Sequence, residues 1–394
     1  MALAAFSTFI ASLEWTVVYR QVPLFPPLEA LAASINGALS LEDGQDKVAR
    51  MLLCMMLSYP LALPLALLPF AHLRHAYAAA TGILFVQFVF GLGWVHLLLP
   101  SAAVYLATAA LRAAGAVGPG SLGHWVAALL SFSYLIFRHL SRDGVKSNNI
   151  DDSTLTMVLV VKLYTLCYNL YDADVAAHKG EQARLEAAAK AGDAAAAQAI
   201  KLQPGRAARA LRALPDPLEF LGYVFNFSTV FVGPAFEVSE YLAGQRRAGT
   251  RGAMAASRYL PAVWKFVQGV AWFAVTSTAQ AAFPTDGIYL EAVRPGSTAA
   301  STALVMVAAL ICSRYKYYAC WKLAEGAAVL SGFGFREADK GRRANLAVAD
   351  FEGFTGLGYR AWVQRALTPK VDVLGLGIAG LPDWEGVSNV SGGP

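Results

Sequence analysis

The chain has 394 residues, of which 56% are hydrophobic and only 15% are charged, whereas ordinary soluble domains carry about 25% charged residues. The formal net charge is +5, which fits basic loops on the cytosolic side of a membrane and gives no separate support for nucleic-acid binding. Between Arg50 and Arg138 the only Asp, Glu, Lys or Arg residues are Arg74 and Arg112. This pattern excludes an ordinary soluble enzyme and predicts an integral membrane protein.

The first apolar segment, Met1–Val18, has no basic start and is interrupted by Glu14. We therefore expect an uncleaved N-terminal or interfacial helix and not a signal peptide. Further apolar intervals follow in chain order: Met51–Leu73, Ala76–Leu99, a weaker one at Ser101–Leu111, then Leu122–Phe137, Leu155–Leu170, Leu218–Val232, Leu260–Phe283 and Ala299–Cys312. They predict an all-α fold, a polytopic membrane helix bundle of about seven to nine membrane helices.

Several of these intervals are short or broken. Pro60 and Pro64 interrupt the first long one, and Lys162 lies inside Leu155–Leu170. Backbone groups freed by such breaks must be satisfied by protein or water. We therefore expect short, broken and interfacial helices that line cavities.

The polar intervals give the organisation outside the bilayer. Residues 178–214 predict an extramembrane helical loop, because its centre, Glu181–Lys201, is rich in the strong helix formers Ala, Glu, Lys and Gln. Residues 336–394 are rich in Gly and predict an irregular tail. We find no internal repeat and interpret residues 1–394 as a single integral-membrane domain.

Motifs of soluble catalysis are missing from the sequence. It has no HExxH, GxSxG or Walker-type loop, which leaves a zinc protease, a serine hydrolase and a P-loop nucleotidase unsupported. All four cysteines lie in apolar segments without a CxxC pair, so they are predicted to be core residues and no metal site is expected. His139, near Asp143, is the one candidate base; an interfacial histidine at a helix end is the interpretation that we favour.

Two groups of polar residues interrupt the apolar pattern. The first contains Asp152, Lys162 and Asp172, and its alternative interpretation is a polar loop between two membrane spans. The second places Gly233 and Pro234 before Glu237. A broken or re-entrant helix is as consistent with this second group as a functional site.

The segment 313–335, SRYKYYACWKLAEGAAVLSGFGF, directly follows an apolar run and carries both basic and acidic residues. Four of its side chains share one helical face: Arg314, Tyr318, Trp321 and Glu325. Ionisable residues at membrane depth indicate a functional site that faces an internal cavity. Interfacial anchoring by Tyr, Trp and snorkelling Lys or Arg is the open alternative.

Together these segments resemble the membrane-bound O-acyltransferase (MBOAT) family, in its lysophospholipid acyltransferase branch. Five stretches carry the resemblance: LRHAYAAATG at 73–82, IDDSTLTMVLVVKLYTLCYNLYD at 150–172, LEFLGYVFNFSTVFVGPAFEVSEYL at 218–242, SRYKYYACWKLAEGAAVLSGFGF at 313–335 and the short echo DWEGVSNV at 383–390. The fourth is the most specific. Their order and rough spacing also match the family.

The resemblance implies an enzyme that transfers a fatty acyl group from acyl-CoA to a lysophospholipid hydroxyl in the endoplasmic reticulum membrane. Acyl-CoA is then a co-substrate, membrane lipids are partners, and no cofactor is expected. The resemblance also implies the residues that shape the acyl-CoA and substrate tunnel: Arg314, Tyr315, Lys316, Tyr317, Tyr318, Trp321, Glu325, Gly233, Pro234, Glu237, Asp152, Lys162 and Asp172.

One departure from the family concerns catalysis. In the family, a Trp-Asn motif and later a His in an apolar helix supply the catalytic pair, and neither position is present in these 394 residues. We therefore assign no catalytic residue and expect the chain as it stands to be inactive. Two alternatives are a non-catalytic paralogue that binds lipid or acyl-CoA, and a transporter with Lys162, Asp172 and Arg314 along a polar path. A transporter would predict internal repeats.

Overall fold

The structure, a computed structural model, describes residues 26–38, 46–116, 122–140, 153–177, 186–193, 209–233, 236–248, 259–282, 290 and 294–332. Within these ranges the regular secondary structure is helical and no strand occurs, so the all-α prediction is confirmed. The predictions for Met1–Val18, Asp152, Pro234 and the tail 336–394 lie outside the described residues. Of the predicted loop helix, residues 186–190 are helical and a turn follows.

Ten helices of eight residues or more form the described fold. They are α1 Pro26–Ala38, α2 Asp46–Ala62, α3 Ala71–Phe90, α4 Trp94–Ala113, α5 Gly123–Leu140, α6 Ser153–Ala177, α7 Pro217–Val224, α8 Val238–Ala248, α9 Tyr259–Ala282 and α10 Ala299–Leu330. The chain divides into two compact units, one of Met1–Leu57 with Pro64–Gly249 and one of Ser58–Leu63 with Thr250–Pro394. The single-domain interpretation of residues 1–394 stays a prediction.

Two predicted membrane spans are broken in the structure. The interval Met51–Leu73 ends its first helix at Ala62 and continues through a 3-10 turn at Pro64–Ala66, as expected from its prolines. The interval Ala76–Leu99 was predicted to hold one span, and it lies inside the membrane-length stretch Ala71–Ala113, but it is divided between two helices. Its first helix ends at Phe90 because Gly91 adopts a φ of 60°, a left-handed conformation that glycine tolerates better than other residues.

The first unit is built around the short helix α7. This helix packs against α3, while α4, α5 and α6 pack on one another. Contact between α3 and the end of α7 is close at Gly82, where an added Cβ would collide with the Phe225 backbone. The interior beside this contact is aromatic, with Tyr223, Phe225 and Phe227 almost fully buried.

The second unit contains the antiparallel pair α9 and α10. Ala262 near the start of α9 lies close to Gly326 near the end of α10, and Trp272 farther along α9 contacts Tyr315 at a ring-centroid distance of 5.1 Å. An added Cβ at Gly269 would crowd Leu323. Small residues therefore allow the two helices to approach closely.

Three helical stretches of the described residues are long and apolar enough to cross a membrane: Ala71–Ala113, Ser153–Ala173 and Ala299–Leu330. This is fewer than the expected number, in part because Leu218–Val232 forms only the two-turn helix α7 followed by a loop. The first half of α10 exposes large apolar side chains such as Leu304 and Leu310, which is the surface that lipid contact requires.

Candidate functional site

A buried lysine lies at the centre of the first unit. Lys162, on α6, is only 1% exposed. Its Nζ donates to the carbonyl oxygens of Tyr223 and Val224, both at 3.2 Å, and lies 3.4 Å from Thr229 Oγ1. We call Lys162 and these three partners the Lys162 cluster. The side chain is thus held by neutral oxygen acceptors at the end of α7.

The local sequence explains why carbonyl groups point at Lys162. Helix α7 begins with Asp216 as its N-cap, and Asp216 and Glu219 form a reciprocal capping box with Pro217 at the first helical position. The helix ends after two turns at Val224. Its last carbonyls carry partial negative charge, which a cation near the helix end stabilises. The Tyr223 ring lies 5.4 Å from Lys162 Nζ and adds a cation–π contact.

The loop after α7 carries further buried polar groups. Asn226 is fully buried, and its Oδ1 accepts from the backbone N–H of Ser228 at 3.1 Å and from the Ser228 hydroxyl at 2.6 Å. Its Nδ2 is buried without a hydrogen-bond partner. Because Oδ1 accepts from a backbone N–H, the amide orientation is settled and Nδ2 remains a donor.

Aromatic hydroxyl groups tie the segment from α7 to α8 together. The Tyr223 hydroxyl donates to the Phe236 carbonyl at 2.9 Å. A hydrogen bond of 2.9 Å also joins His75 Nδ1 and the Tyr241 hydroxyl, so α3 holds α8. Beside them Glu237 pairs with Arg209 at 3.3 Å. Glu237 is therefore engaged in an ion pair at the edge of the first unit.

The remaining predicted residues of the first unit occupy less buried positions. Gly233 and Asp172 are half-buried, and Asp172 lies within α6, ten positions after Lys162. His139 lies near the end of α5, where its Nδ1 donates to the Leu135 carbonyl at 2.9 Å. The catalytic role that we considered for His139 stays untested.

The second unit contains a denser charged group. Glu325 forms ion pairs with two lysines: Lys265 Nζ lies 3.0 Å from its Oε1, and Lys322 Nζ lies 2.9 Å from its Oε2. All three side chains are buried, with 7% to 13% of their surface exposed. We call these three residues, together with Tyr59, the Glu325 cluster.

Tyr59 completes this cluster from the last turn of α2. Its hydroxyl donates to the Leu323 carbonyl at 2.9 Å, and its ring meets Phe266 of α9 edge-on, with centroids 5.0 Å apart. Gly326 makes room for this arrangement, since an added Cβ would meet the Tyr59 hydroxyl and would lie 3.0 Å from the Ala262 carbonyl oxygen.

An aromatic row extends from the Glu325 cluster toward the middle of α10. Trp272 contacts Tyr315 and Tyr318, and Tyr318 contacts Trp321 at 5.8 Å between centroids. These four side chains are half-buried. Their rings offer a flat apolar wall with polar edges, which suits contact with an acyl chain and its polar head.

Of the three residues predicted to face an internal cavity, Arg314 is exposed, whereas Tyr318 and Trp321 are half-buried; the cavity itself stays a prediction. The closest contacts with α9 fall at Ala319, Leu323 and Gly326. These three positions lie roughly 120° to 180° round the helix from Arg314, although the Tyr318 ring and the Glu325 carboxylate also reach side chains of α9. Lys316 and Tyr317 are also exposed, with Lys316 Nζ 5.4 Å from the Tyr317 ring centroid.

Two members of the Glu325 cluster, Lys265 and Tyr59, were not predicted from the sequence. A signal for Lys265 existed, since it is the only charged residue in the apolar interval Leu260–Phe283. Tyr59 has no such signal, because a tyrosine beside Pro60 is unremarkable in an apolar segment. Among the described residues no group of His, Cys, Asp and Glu side chains is arranged to hold a metal ion.

Comparisons with known proteins fit these observations. The family model of the membrane-bound O-acyltransferases matches residues 122–369. The chain is 25% identical over 303 residues to the lysophospholipid acyltransferase of Schizosaccharomyces pombe, an alignment that covers 74% of this chain and 54% of that protein.

Two other relatives give similar values. Lysophospholipid acyltransferase 2 of Arabidopsis thaliana is 25% identical over 78% of this chain and 60% of its own length. Lysophospholipid acyltransferase 5 of Mus musculus is 26% identical over 89% of this chain and 70% of its own. The alignments thus cover between 54% and 70% of these three relatives.

Proposed function

Because this chain belongs to the membrane-bound O-acyltransferase family, we propose that the whole product of its gene transfers a fatty acyl group from acyl-CoA to the hydroxyl of a lysophospholipid, and that this chain supplies binding and positioning groups. One observation carries the proposal: the charged residues buried in otherwise apolar helices, Lys162 and the Lys265–Glu325–Lys322 group, all fall inside the stretch that matches the family. Relatives that bear the name lysophospholipid acyltransferase support the choice of substrate class.

The proposed reaction forms one ester bond and breaks one thioester bond. The lysophospholipid hydroxyl oxygen attacks the thioester carbonyl carbon while a base takes the hydroxyl proton. The C–S bond then breaks, and the base returns the proton to the sulfur, so that coenzyme A leaves as the thiol. This chemistry needs a base, donors for the developing oxyanion and alignment of two amphipathic substrates. The protein is an integral membrane protein, and we propose the endoplasmic reticulum membrane as its site of action.

The described residues supply binding and positioning groups for this reaction. On α10 the exposed cations Arg314 and Lys316 are suited to the phosphates of coenzyme A, which are anionic. The aromatic row of Trp272, Tyr315 and Tyr318 lies on the same helix pair and suits the acyl chain. No cofactor enters the proposal, since acyl-CoA itself carries the activated group.

The test is acyl transfer in membranes of a host that lacks its own lysophospholipid acyltransferases, with the whole product of this gene expressed. We expect label from radioactive acyl-CoA to appear in phospholipid only when a lysophospholipid is added. Tight binding of acyl-CoA without transfer would contradict the proposal and favour a non-catalytic paralogue. Movement of either lipid across the membrane without transfer would favour a transporter.

Variants locate the groups involved. Lys316→Met is expected to raise KM for acyl-CoA with a smaller change in kcat, because it removes a binding cation and no reacting group. Lys190→Met is the matched control, since Lys190 is an exposed lysine at the end of the helical segment 186–190. His139→Ala is expected to retain activity, and its complete loss would make His139 the base.

A further inference from the structure

Lys265 is the charged member of the Glu325 cluster that lies outside the five motif stretches of the sequence, although it falls inside the region that the family model matches. It is placed on α9, whereas Lys322 and Glu325 belong to α10 and stand three positions apart. The Lys322–Glu325 pair lies within a single helix, and such a pair cannot fix that helix relative to its neighbour. Lys265 is the residue that connects Glu325 to the second helix.

The geometry restrains Glu325 on both of its oxygens. Lys265 Nζ holds Oε1 at 3.0 Å and Lys322 Nζ holds Oε2 at 2.9 Å, so rotation of the carboxylate would break a charged contact. Charge-assisted hydrogen bonds are roughly twice as strong as neutral ones, and burial strengthens their electrostatic attraction. The carboxylate is thus locked between two helices.

The backbone around this contact leaves little room for adjustment. An added Cβ at Gly326 would lie 3.0 Å from Lys265 Cβ, and one at Gly269 would lie 2.7 Å from Leu323 Cγ. The two helices therefore touch on either side of the ion pair. A rotation or a slide of α10 against α9 would therefore change the Lys265–Glu325 contact.

We propose that Lys265 is a positioning residue that acts through Glu325. It sets the rotation of α10 about its own axis and the position of α10 along that axis, both relative to α9. The inference rests on the proposed function, because the side chains presented by α10 include Lys316 and the aromatic row. Lys316 lies nine residues before Glu325, about 13 Å along the helix axis, so Lys265 does not touch the groups that it positions. A misplacement of about 1 Å far from the reacting atoms can lower a rate by about 10²-fold.

The first arm of the test is kinetic. Lys265→Met should lower kcat by about 10²-fold and should also raise KM for acyl-CoA, because the displaced α10 carries the binding cation Lys316. Lys265→Arg should restore most of the rate because it keeps a cation at Oε1. Lys190→Met removes a lysine from an exposed segment and should match the wild-type protein. Wild-type kcat in Lys265→Met, or a loss that Lys265→Arg does not repair, would overturn the proposal.

The second arm reports the position of α10 without any activity. Cys320 is half-buried on α10 two positions before Lys322, whereas Cys54 and Cys167 are each 1% exposed in the first unit. Labelling by N-ethylmaleimide, quantified for each cysteine by mass spectrometry, should accelerate in Lys265→Met at Cys320, and at Cys312 on the same helix, but not at Cys54 or Cys167. Equal acceleration at Cys54 and Cys167 would show general unfolding and would overturn the positioning role.

The two arms separate the inference from the proposed function. If the wild-type protein transfers no acyl group, the proposed function fails and the labelling ratio decides the positioning role by itself. An unchanged ratio of Cys320 to Cys54 labelling in Lys265→Met would then overturn it. A raised ratio that Lys265→Arg returns to the wild-type value would support it.

Discussion

The two units of this membrane protein bury lysine in different ways. Lys162 in the first unit meets two backbone carbonyls and a hydroxyl, all of them neutral. Lys265 and Lys322 in the second unit meet opposite oxygens of one carboxylate. In the first arrangement a cation satisfies the carbonyl dipoles at the end of a short helix. In the second, an ion pair connects two helices. The difference predicts that the second unit depends more strongly on a single side chain.

The largest effect is expected at Glu325. Glu325→Gln removes the carboxylate from between two buried ammonium groups, and removal of one partner of a buried ion pair costs about 3–5 kcal/mol. The free energy of unfolding, measured by denaturant titration in detergent micelles, should fall by this amount. Glu29→Gln is the control, because Glu29 pairs with Arg50 at 2.8 Å in a more exposed setting and should cost about 1 kcal/mol or less. Equal losses in both variants would remove the contrast between the units.

A backbone contact should produce the next largest effect. In Gly82→Ala the new Cβ would collide with the Phe225 carbonyl, and backbone cannot move aside as a side chain can. We expect a loss of about 3 kcal/mol, the upper end of the usual cost of overpacking. Gly37→Ala is the matched control, since nothing lies within 4 Å of its added Cβ. A mild effect of Gly82→Ala would mean that α3 and the end of α7 can separate.

The surroundings of Glu325 and Lys162 show what the sequence could and could not predict. Apolar run length placed α9 and α10 near Leu260 and Ala299, because a membrane helix must be long and apolar. The sequence also identified Glu325 and Lys162 as unusual. The pairing of Glu325 with Lys265, and of Lys162 with the carbonyls of α7, lay beyond its reach, since these partners belong to other helices and no periodicity within one segment shows which helices pack together. Helical phase placed Arg314 and Glu325 on one face but could not show which side of α10 packs against α9.

Lys162→Met tests the neutral arrangement directly. The substitution leaves the carbonyls of Tyr223 and Val224 buried without their donor, at a cost of about 1–3 kcal/mol for an unsatisfied group. It also removes a charge that was expensive to bury, so we expect a net loss of about 2 kcal/mol, smaller than at Glu325. The same denaturant titration measures it, with Lys190→Met as the exposed control. A variant as stable as the wild-type protein would show that the cost of burying the Lys162 charge equals the benefit of its contacts.

The smallest effect is expected at Tyr59, and it is the most discriminating because it couples to a glycine. Tyr59→Phe removes the hydroxyl that donates to the Leu323 carbonyl at 2.9 Å, which should cost about 1 kcal/mol. Gly326→Ala alone should also destabilise, since its Cβ would meet that hydroxyl. With the hydroxyl gone the new methyl group gains space. The loss in free energy of unfolding in the double variant should therefore be smaller than the sum of the two single losses, by about 0.5–3 kcal/mol. Simple additivity would mean that the Ala262 carbonyl, 3.0 Å from the added Cβ, and not Tyr59, limits how closely α9 and α10 approach.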